Sequence, residues 1–205
     1  LKKNLLPPVM ADFFRLILCI PTAVRYLKKL RQNKKYKNSK SGKVYILANG
    51  PSLREVDFSV ISDCDVITMN SFHRGKIDAN LNIVAHCYGE PKNSSAWLLD
   101  DFKDCMLNNH AESYWVHYSS VLSANKLKVQ VQAVFPAIES LIWRSGRVDL
   151  SSLTLGYAST AQLAIQVAMH LGYDDIMLLG FDHDWLASRD YSRHFYSNEK
   201  DVSDT

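Results

Sequence analysis

Six short apolar runs, spaced along the chain and separated by helix-forming or turn-rich stretches, constrain this sequence more than any other feature. They are KVYILA (43–48), DVITMN (65–70), LNIVAH (81–86), SYWVHY (113–118), VQAVF (131–135) and DIMLLG (175–180). Each is nearly continuous in apolar residues instead of alternating, the pattern of strands covered on two faces in a parallel sheet. Helical segments are expected between them at 94–108, 136–144 and 159–171. The last is the clearest, with Ala161, Ala164, Ile165, Ala168 and Leu171 on one face, Ser159 or Thr160 as cap and Gly172 as stop. Alternation of this kind predicts an α/β fold: a Rossmann-like, mostly parallel sheet flanked by helices.

The charge divides unevenly. Residues 1–43 hold twelve Lys and Arg against one acid, Asp12, for +11; the remaining chain carries −8, within a total of +3 over 205 residues. Two regions of different character follow: a basic amphipathic N-terminal segment, 1–40, and an acidic Rossmann-like domain, 43–205, joined by the linker-like NKKYKNSKSG. Phe13, Phe14, Leu16, Ile17, Leu18, Ile20, Val24, Leu27 and Leu30 make the first segment apolar, Pro21 interrupts it, and a Lys/Arg cluster follows. Its unbroken apolar run of about eight residues falls short of the ~20 needed to span a bilayer. The basic cluster follows the apolar stretch, the reverse of a signal peptide. The expectation is a basic amphipathic helix lying on an anionic membrane surface, with packing on the domain or on a partner subunit as the alternative. Nucleic acid is not expected as a partner, because the rest of the chain is acidic and lacks a nucleic-acid-binding motif. The polar tail SNEKDVSDT leaves two readings: a domain truncated at its C-terminus, or a disordered end.

Four cysteines, Cys19, Cys64, Cys87 and Cys105, show no metal-like spacing and are expected as reduced core thiols of a cytoplasmic protein. Trp97, Trp115 and Trp143 are expected in the core. Of the histidines, His73, His86, His110, His117 and His170 have no distinguishing spacing, and His170 is expected to complement a helix dipole.

Two turns are candidates to carry chemistry, with a purely structural turn as the alternative for the first. In Asn49-Gly50-Pro51-Ser52 a strand runs into a turn where Gly50 permits close backbone approach, Pro51 suits the first position of a short helix, and exposed N–H groups favour an anion or a base edge. It matches neither the dinucleotide nor the Walker fingerprint. In residues 154–185, a Gly-containing loop enters a helix through Ser159 and Thr160, and the next strand ends at Gly180-Phe181-Asp182-His183-Asp184. A helix N-terminus suits phosphate, and strand C-termini are where open α/β sheets bind ligands.

NGPSL after a strand, Asn70 ending the next strand, and ST…A…A…LGY..I.LLGFDHD followed by HFY resemble two linked groups. One is the bacterial sialyltransferases of glycosyltransferase family 42. The other is the MptE-like (6-hydroxymethylpterin diphosphokinase-like) group with the Maf-type flagellin glycosyltransferases, to which GFDHDW is the nearer. The resemblance spans roughly residues 43–196. It implies donor contacts from Asn49, Gly50, Pro51, Ser52, Asn70, Ser159 and Thr160, with Tyr157 and Asp182 alongside, and a catalytic base at His194 or, second, His183. The implied activity is inverting transfer from a nucleotide-activated, CMP-linked sugar to a glycan or lipid-linked glycan acceptor. It belongs at the inner membrane, peripheral and cytoplasmic, with a homo-oligomer possible. No cofactor is required; Asp182 and Asp184, a DxD pair, form an alternative seat for a divalent metal. Rival readings are a pyrophosphokinase using ATP and Mg²⁺, and a non-catalytic nucleotide-binding subunit of a glycan assembly complex.

Overall fold

The structure is a computed structural model that describes residues 8–75, 77, 80–92, 99–138, 148–152, 154–182 and 195. The helix α1 (Pro8–Gln32) comes first, followed by the strands β1 (Lys43–Leu47), β2 (Asp65–Met69) and β3 (Asn82–Tyr88). Then come α2 (Leu99–Asn108), β4 (Tyr114–His117), α3 (Val121–Lys126), β5 (Gln132–Val134), β6 (Pro136–Ile138) and β7 (Thr154–Leu155). The chain closes this series with α4 (Thr160–Leu171) and β8 (Asp175–Leu179).

Six strands form one sheet in the order β5-β4-β3-β2-β1-β8, and every pairing in it is parallel. These are the six apolar runs, so the expected α/β class and parallel sheet are observed. Side chains alternate between the two faces, as strand geometry requires. Val44, Ile46, Ile67, Cys87 and Trp115 pack with Leu163, Ala164, Val167 and Ala168 of α4. On the other face, Tyr88 and Val116 meet Phe102, Cys105 and Met106 of α2. Leu47 and Val66 meet Leu53, Ile61, Phe72 and Phe195. Trp115 is fully buried; Trp97 and Trp143 lie outside the described residues. Cys64, Cys87 and Cys105 are free thiols.

Ser159 caps α4 by accepting from the Gln162 amide, and Gly172 ends it with φ 104°. A side chain at Gly172 would also come within 2.7 Å of the Lys40 carbonyl, so glycine is required there twice over.

Several expectations are corrected. A helix was expected over 136–144, but Pro136–Ile138 is strand β6, parallel to β7, with Thr154 N–H donating to Phe135 O at 3.1 Å; residues 139–144 lie outside the described residues. Proline suits a helix start, but it also suits a strand whose partner lies on one side only, and here the pairing wins. Pro21, which interrupts the apolar run, sits inside α1. The linker-like stretch is bonded to the domain: Asn38 N–H donates to His170 O, Lys40 N–H to Leu171 O, and Lys37 pairs with Asp149.

His170 is also more than a complement to a helix dipole. It is fully buried, Nδ1 accepts from Leu150 N–H at 3.2 Å, and Nε2 reaches Asn33 O at 3.1 Å. Burial lowers its pKa, leaving a neutral ring that bridges two segments. The Asn33 amide completes the knot, donating to Ala133 O and Leu150 O at 2.8 Å each.

Among the described residues, no helix is long and apolar enough to cross a membrane.

Candidate functional site

Because every sheet strand is parallel, all the strand C-termini gather at one edge. The chain leaves β1 toward β2 on one side, while β8 lies on the other, so direction switches beside β1. Loops at such a switch leave a crevice between them.

The turn after β1 fills this position. Ala48 N–H donates to Leu179 O and Gly50 N–H to Gly180 O, each at 2.9 Å, tying the turn to the end of β8. Pro51 then opens a single 3₁₀ turn, Pro51–Glu55. The Ser52 amide at its start donates to Asp182 Oδ2 at 2.8 Å. The anion that this turn favours is thus supplied by the chain itself. A methyl group on Gly50 would lie 2.2 Å from the same oxygen, which explains the glycine by close approach. Asn49 donates from Nδ2 to Met69 O at 3.4 Å, while its Oδ1 is buried without a partner among the described residues.

Asn70 stands next along the edge, in the left-handed region at φ 49°. Asparagine tolerates this conformation better than most residues. Its carbonyl accepts from Asn109 Nδ2 at 3.4 Å, and its side chain makes no hydrogen bond among the described residues. Below it, His73 lies between Asn109 Nδ2 (3.0 Å) and Asp104 (2.9 Å), and Arg74 also holds Asp104. Burial works to raise the Asp104 carboxyl, but hydrogen bonds from Arg74 and His73 outweigh it and hold the group below the usual carboxylate range.

A cleft of about 340 Å³ opens over β3 and β4. Gly89 and Glu90 line one side, His117 and Tyr118 the floor, and Tyr157, Ser159 and Thr160 the entry to α4. Thr160 Oγ1 accepts from the Gly89 amide at 3.3 Å, which locks the helix start against the end of β3. Gln162 returns to accept from Ala158 N–H at 2.6 Å, a relative of the capping box. The amides of Thr160 and Ala161 have no such partner among the described residues. The partial positive charge of the helix is therefore open to the cleft. The Tyr157 hydroxyl is buried without a partner among the described residues, and burial pushes its pKa upward.

His117 was not distinguished by sequence spacing. It ends β4 at the ligand edge, nearly buried, and its ring meets Tyr157 edge-on with centroids 6.3 Å apart. Nδ1 accepts the Ser119 amide at 3.3 Å and meets the Ser119 hydroxyl at 2.7 Å, and the amide contact favours the tautomer with the ring proton on Nε2. Burial lowers its pKa to about 4, so at neutral pH it is an uncharged donor. Its place at the end of the run SYWVHY was the available signal.

The Asn49–Ser52 turn and the α4 entry lie on the same edge, two strand spacings apart, or about 10 Å. The structure thus gathers Asn49, Gly50, Pro51, Ser52 and Asp182 in one group, Tyr157, Ser159 and Thr160 in a second, and Asn70 between them. His183, Asp184 and His194 lie outside the described residues. Phe195, which follows His194 in the chain, is fixed at this edge: its N–H donates to Asn49 O at 3.0 Å, and its carbonyl accepts from Arg54 Nε at 3.1 Å. Among the described residues, no group of three His, Cys, Asp or Glu is placed to hold a metal ion. The second DxD, Asp63-Cys64-Asp65, sits at the opposite edge of the sheet.

Comparison with protein-family models, with curated proteins and with solved structures finds no match for this chain.

Proposed function

We propose that the chain is a Rossmann-like glycosyltransferase that takes a sugar from a nucleotide-activated, CMP-linked donor and passes it to a glycan acceptor with inversion. One observation supports this reading most: a capped helix N-terminus, a neutral histidine donor and a buried phenol converge on a cleft beside two asparagines at the strand C-termini. The resemblance of NGPSL and of the 154–185 segment to sialyltransferase-like sequences supplies the choice of reaction.

In that reaction the acceptor oxygen attacks the anomeric carbon as the bond to the donor phosphate breaks. CMP leaves with the electron pair, and a base takes the acceptor proton. The free amides at the start of α4 and the Nε2–H of His117 are suited to the charge that grows on the leaving phosphate. The Asn70 side chain offers a paired donor and acceptor for the sugar or the base edge, beside Asn49, whose Nδ2 is held by Met69 O. The base is assigned to His194, with His183 second, from the resemblance alone. An alternative divalent metal would draw on Asp182 and Asp184. Asp182 already gives one oxygen to the Ser52 amide, and no step above is routed through a metal.

The test is donor turnover. Purified protein is expected to release CMP slowly from a CMP-sugar, and His194→Ala to abolish release. Absence of CMP release together with Mg²⁺-dependent consumption of ATP would replace this reading with the pyrophosphokinase one.

A further inference from the structure

Helix α1 packs on the domain along β5 and β6. Leu30 is fully buried in the core shared with α2 and β4, and Asn33 beyond the helix end is bound to Ala133 and Leu150. Seven residues earlier, Tyr26 meets Tyr118 edge-on with ring centroids 5.3 Å apart. Ala133 lies inside β5, whereas Tyr118 lies past the C-terminal end of β4 and lines the cleft. From Asn33 to Tyr26 the helix therefore climbs toward the ligand edge. Nine further residues to Ile17, about 14 Å of helix, carry it beyond the edge beside the cleft mouth.

The face of α1 turned away from the domain has an ordered composition. At 100° per residue, Ile17, Ile20, Val24, Lys28 and Arg31 fall within an arc of about 80°, opposite Tyr26, Leu30 and Asn33. Ile17, Ile20 and Val24 are 45%, 49% and 60% exposed, and Leu18 beside them is 77% exposed. Arg25, Lys28 and Arg31 are exposed too. The overhanging half is thus apolar and the next turns are basic, while residues 1–43 carry +11. The opposite edge of the sheet is mixed in charge, with the exposed carboxylates of Asp63, Glu112, Asp174 and Asp175 among Lys34, Lys35, Lys40, Lys43 and Lys128.

We propose that this face of α1 docks on an anionic lipid bilayer and, in doing so, turns the cleft mouth toward the membrane surface. The apolar residues enter the headgroup boundary, and Arg25, Lys28 and Arg31 meet lipid phosphates. For the transferase reading, which the orientation clause rests on, this identifies the acceptor as one presented at a bilayer surface. The docking clause stands without that reading.

The experiment uses the full chain with vesicles of phosphatidylcholine alone and of phosphatidylcholine with about one third phosphatidylglycerol. Flotation is expected to show at least about tenfold tighter binding to the anionic vesicles, weakened by salt. Both Ile17→Asp with Val24→Asp and Lys28→Glu with Arg31→Glu should lower binding about tenfold or more. These positions are exposed, and circular dichroism should show an unchanged fold. Hydrogen exchange on the vesicles should protect 17–31 together with 89–92 and 118–119, and leave the region of Asp174 and Asp175 unprotected. Equal binding to both vesicle types, no binding, or a dimer in solution that the Ile17/Val24 changes dissolve would overturn docking. Vesicle binding with protection at the far edge would overturn the orientation alone. Absence of transferase activity with intact vesicle binding would count against the transferase reading and not against docking.

Discussion

The Ser52 amide donates to Asp182 Oδ2 at 2.8 Å, so the turn after β1 holds a carboxylate of its own chain where a bound phosphate would otherwise sit. The two loops of the candidate site are therefore unequal: one is closed on itself through Asp182, and the other, at the start of α4, presents amides with no partner among the described residues.

Removing that internal anion should loosen the edge. Asp182→Ala is expected to lower stability by about 1 kcal/mol, the lower range for a hydrogen bond to a charged group that is partly exposed. Gly50→Ala should cost more, because its methyl group would meet both Asp182 and the Gly180 carbonyl, the latter at 2.5 Å. Urea unfolding of the two variants measures this, and an unchanged midpoint for Gly50→Ala would show that the turn is not closed as described.

The Asn33 knot should be among the most sensitive points of the N-terminal half. Asn33→Ala removes two buried hydrogen bonds and leaves the Ala133 and Leu150 carbonyls unsatisfied, for an expected loss of about 2–4 kcal/mol. Asn33→Asp should not rescue it, since a carboxylate has no N–H to donate. Thermal unfolding would decide the matter, with Ser159→Ala, a lost helix cap worth about 1 kcal/mol, as the milder comparison.

Buried neutral histidines set the acid side of stability. Burial brings His86 to about 3 and His117 to about 4, and lowers His170 as well. Their unfolded forms take up protons near 6.5, so the unfolded state binds more protons than the folded state between those values. Stability is then fully present above pH 6.5 and falls as the pH drops toward 4, by about 1.4 kcal/mol per pH unit for each histidine that titrates only on unfolding. Urea melts at pH 7 and pH 5 should show a clear loss, and equal stability at the two would mean that these rings are accessible in the fold.

His117 acts as a donor in this account and not as a base. Substitution His117→Phe keeps ring packing against Tyr157 while removing the Nε2–H, and should lower kcat about 100-fold, the scale of losing one donor to a developing oxyanion. The wild-type pH–rate profile should show no limb near 6.5 that disappears in this variant.

The sheet was legible because parallel strands buried on two faces read as unbroken apolar runs, and KVYILA, DVITMN and DIMLLG needed no partner to be recognised. Helix α4 was equally clear, since Ser159 and Gly172 mark its ends locally. Asn33 and its bond to His170 were not legible, because the partners of Asn33 lie 100, 117 and 137 residues along the chain. A polar, lysine-rich stretch therefore looked like a linker. Pro136 carried a local helix-start signal that pairing with Thr154 overrode. At the site, the Asn49 turn and the Ser159–Thr160 entry were visible as turn chemistry. The role of His117 depends on burial and on the Ser119 amide, which no spacing rule reveals.

The central claim is that the cleft at the start of α4 binds a cytidine nucleotide. Calorimetric titration of CMP into wild-type protein, His117→Phe and Ser52→Ala measures it most directly. The account predicts binding by the wild type, about tenfold or more weaker binding by His117→Phe, and a smaller change for Ser52→Ala, whose amide stays bound to Asp182. No heat with CMP but saturable binding of ATP with Mg²⁺, or CMP binding indifferent to His117, would contradict it.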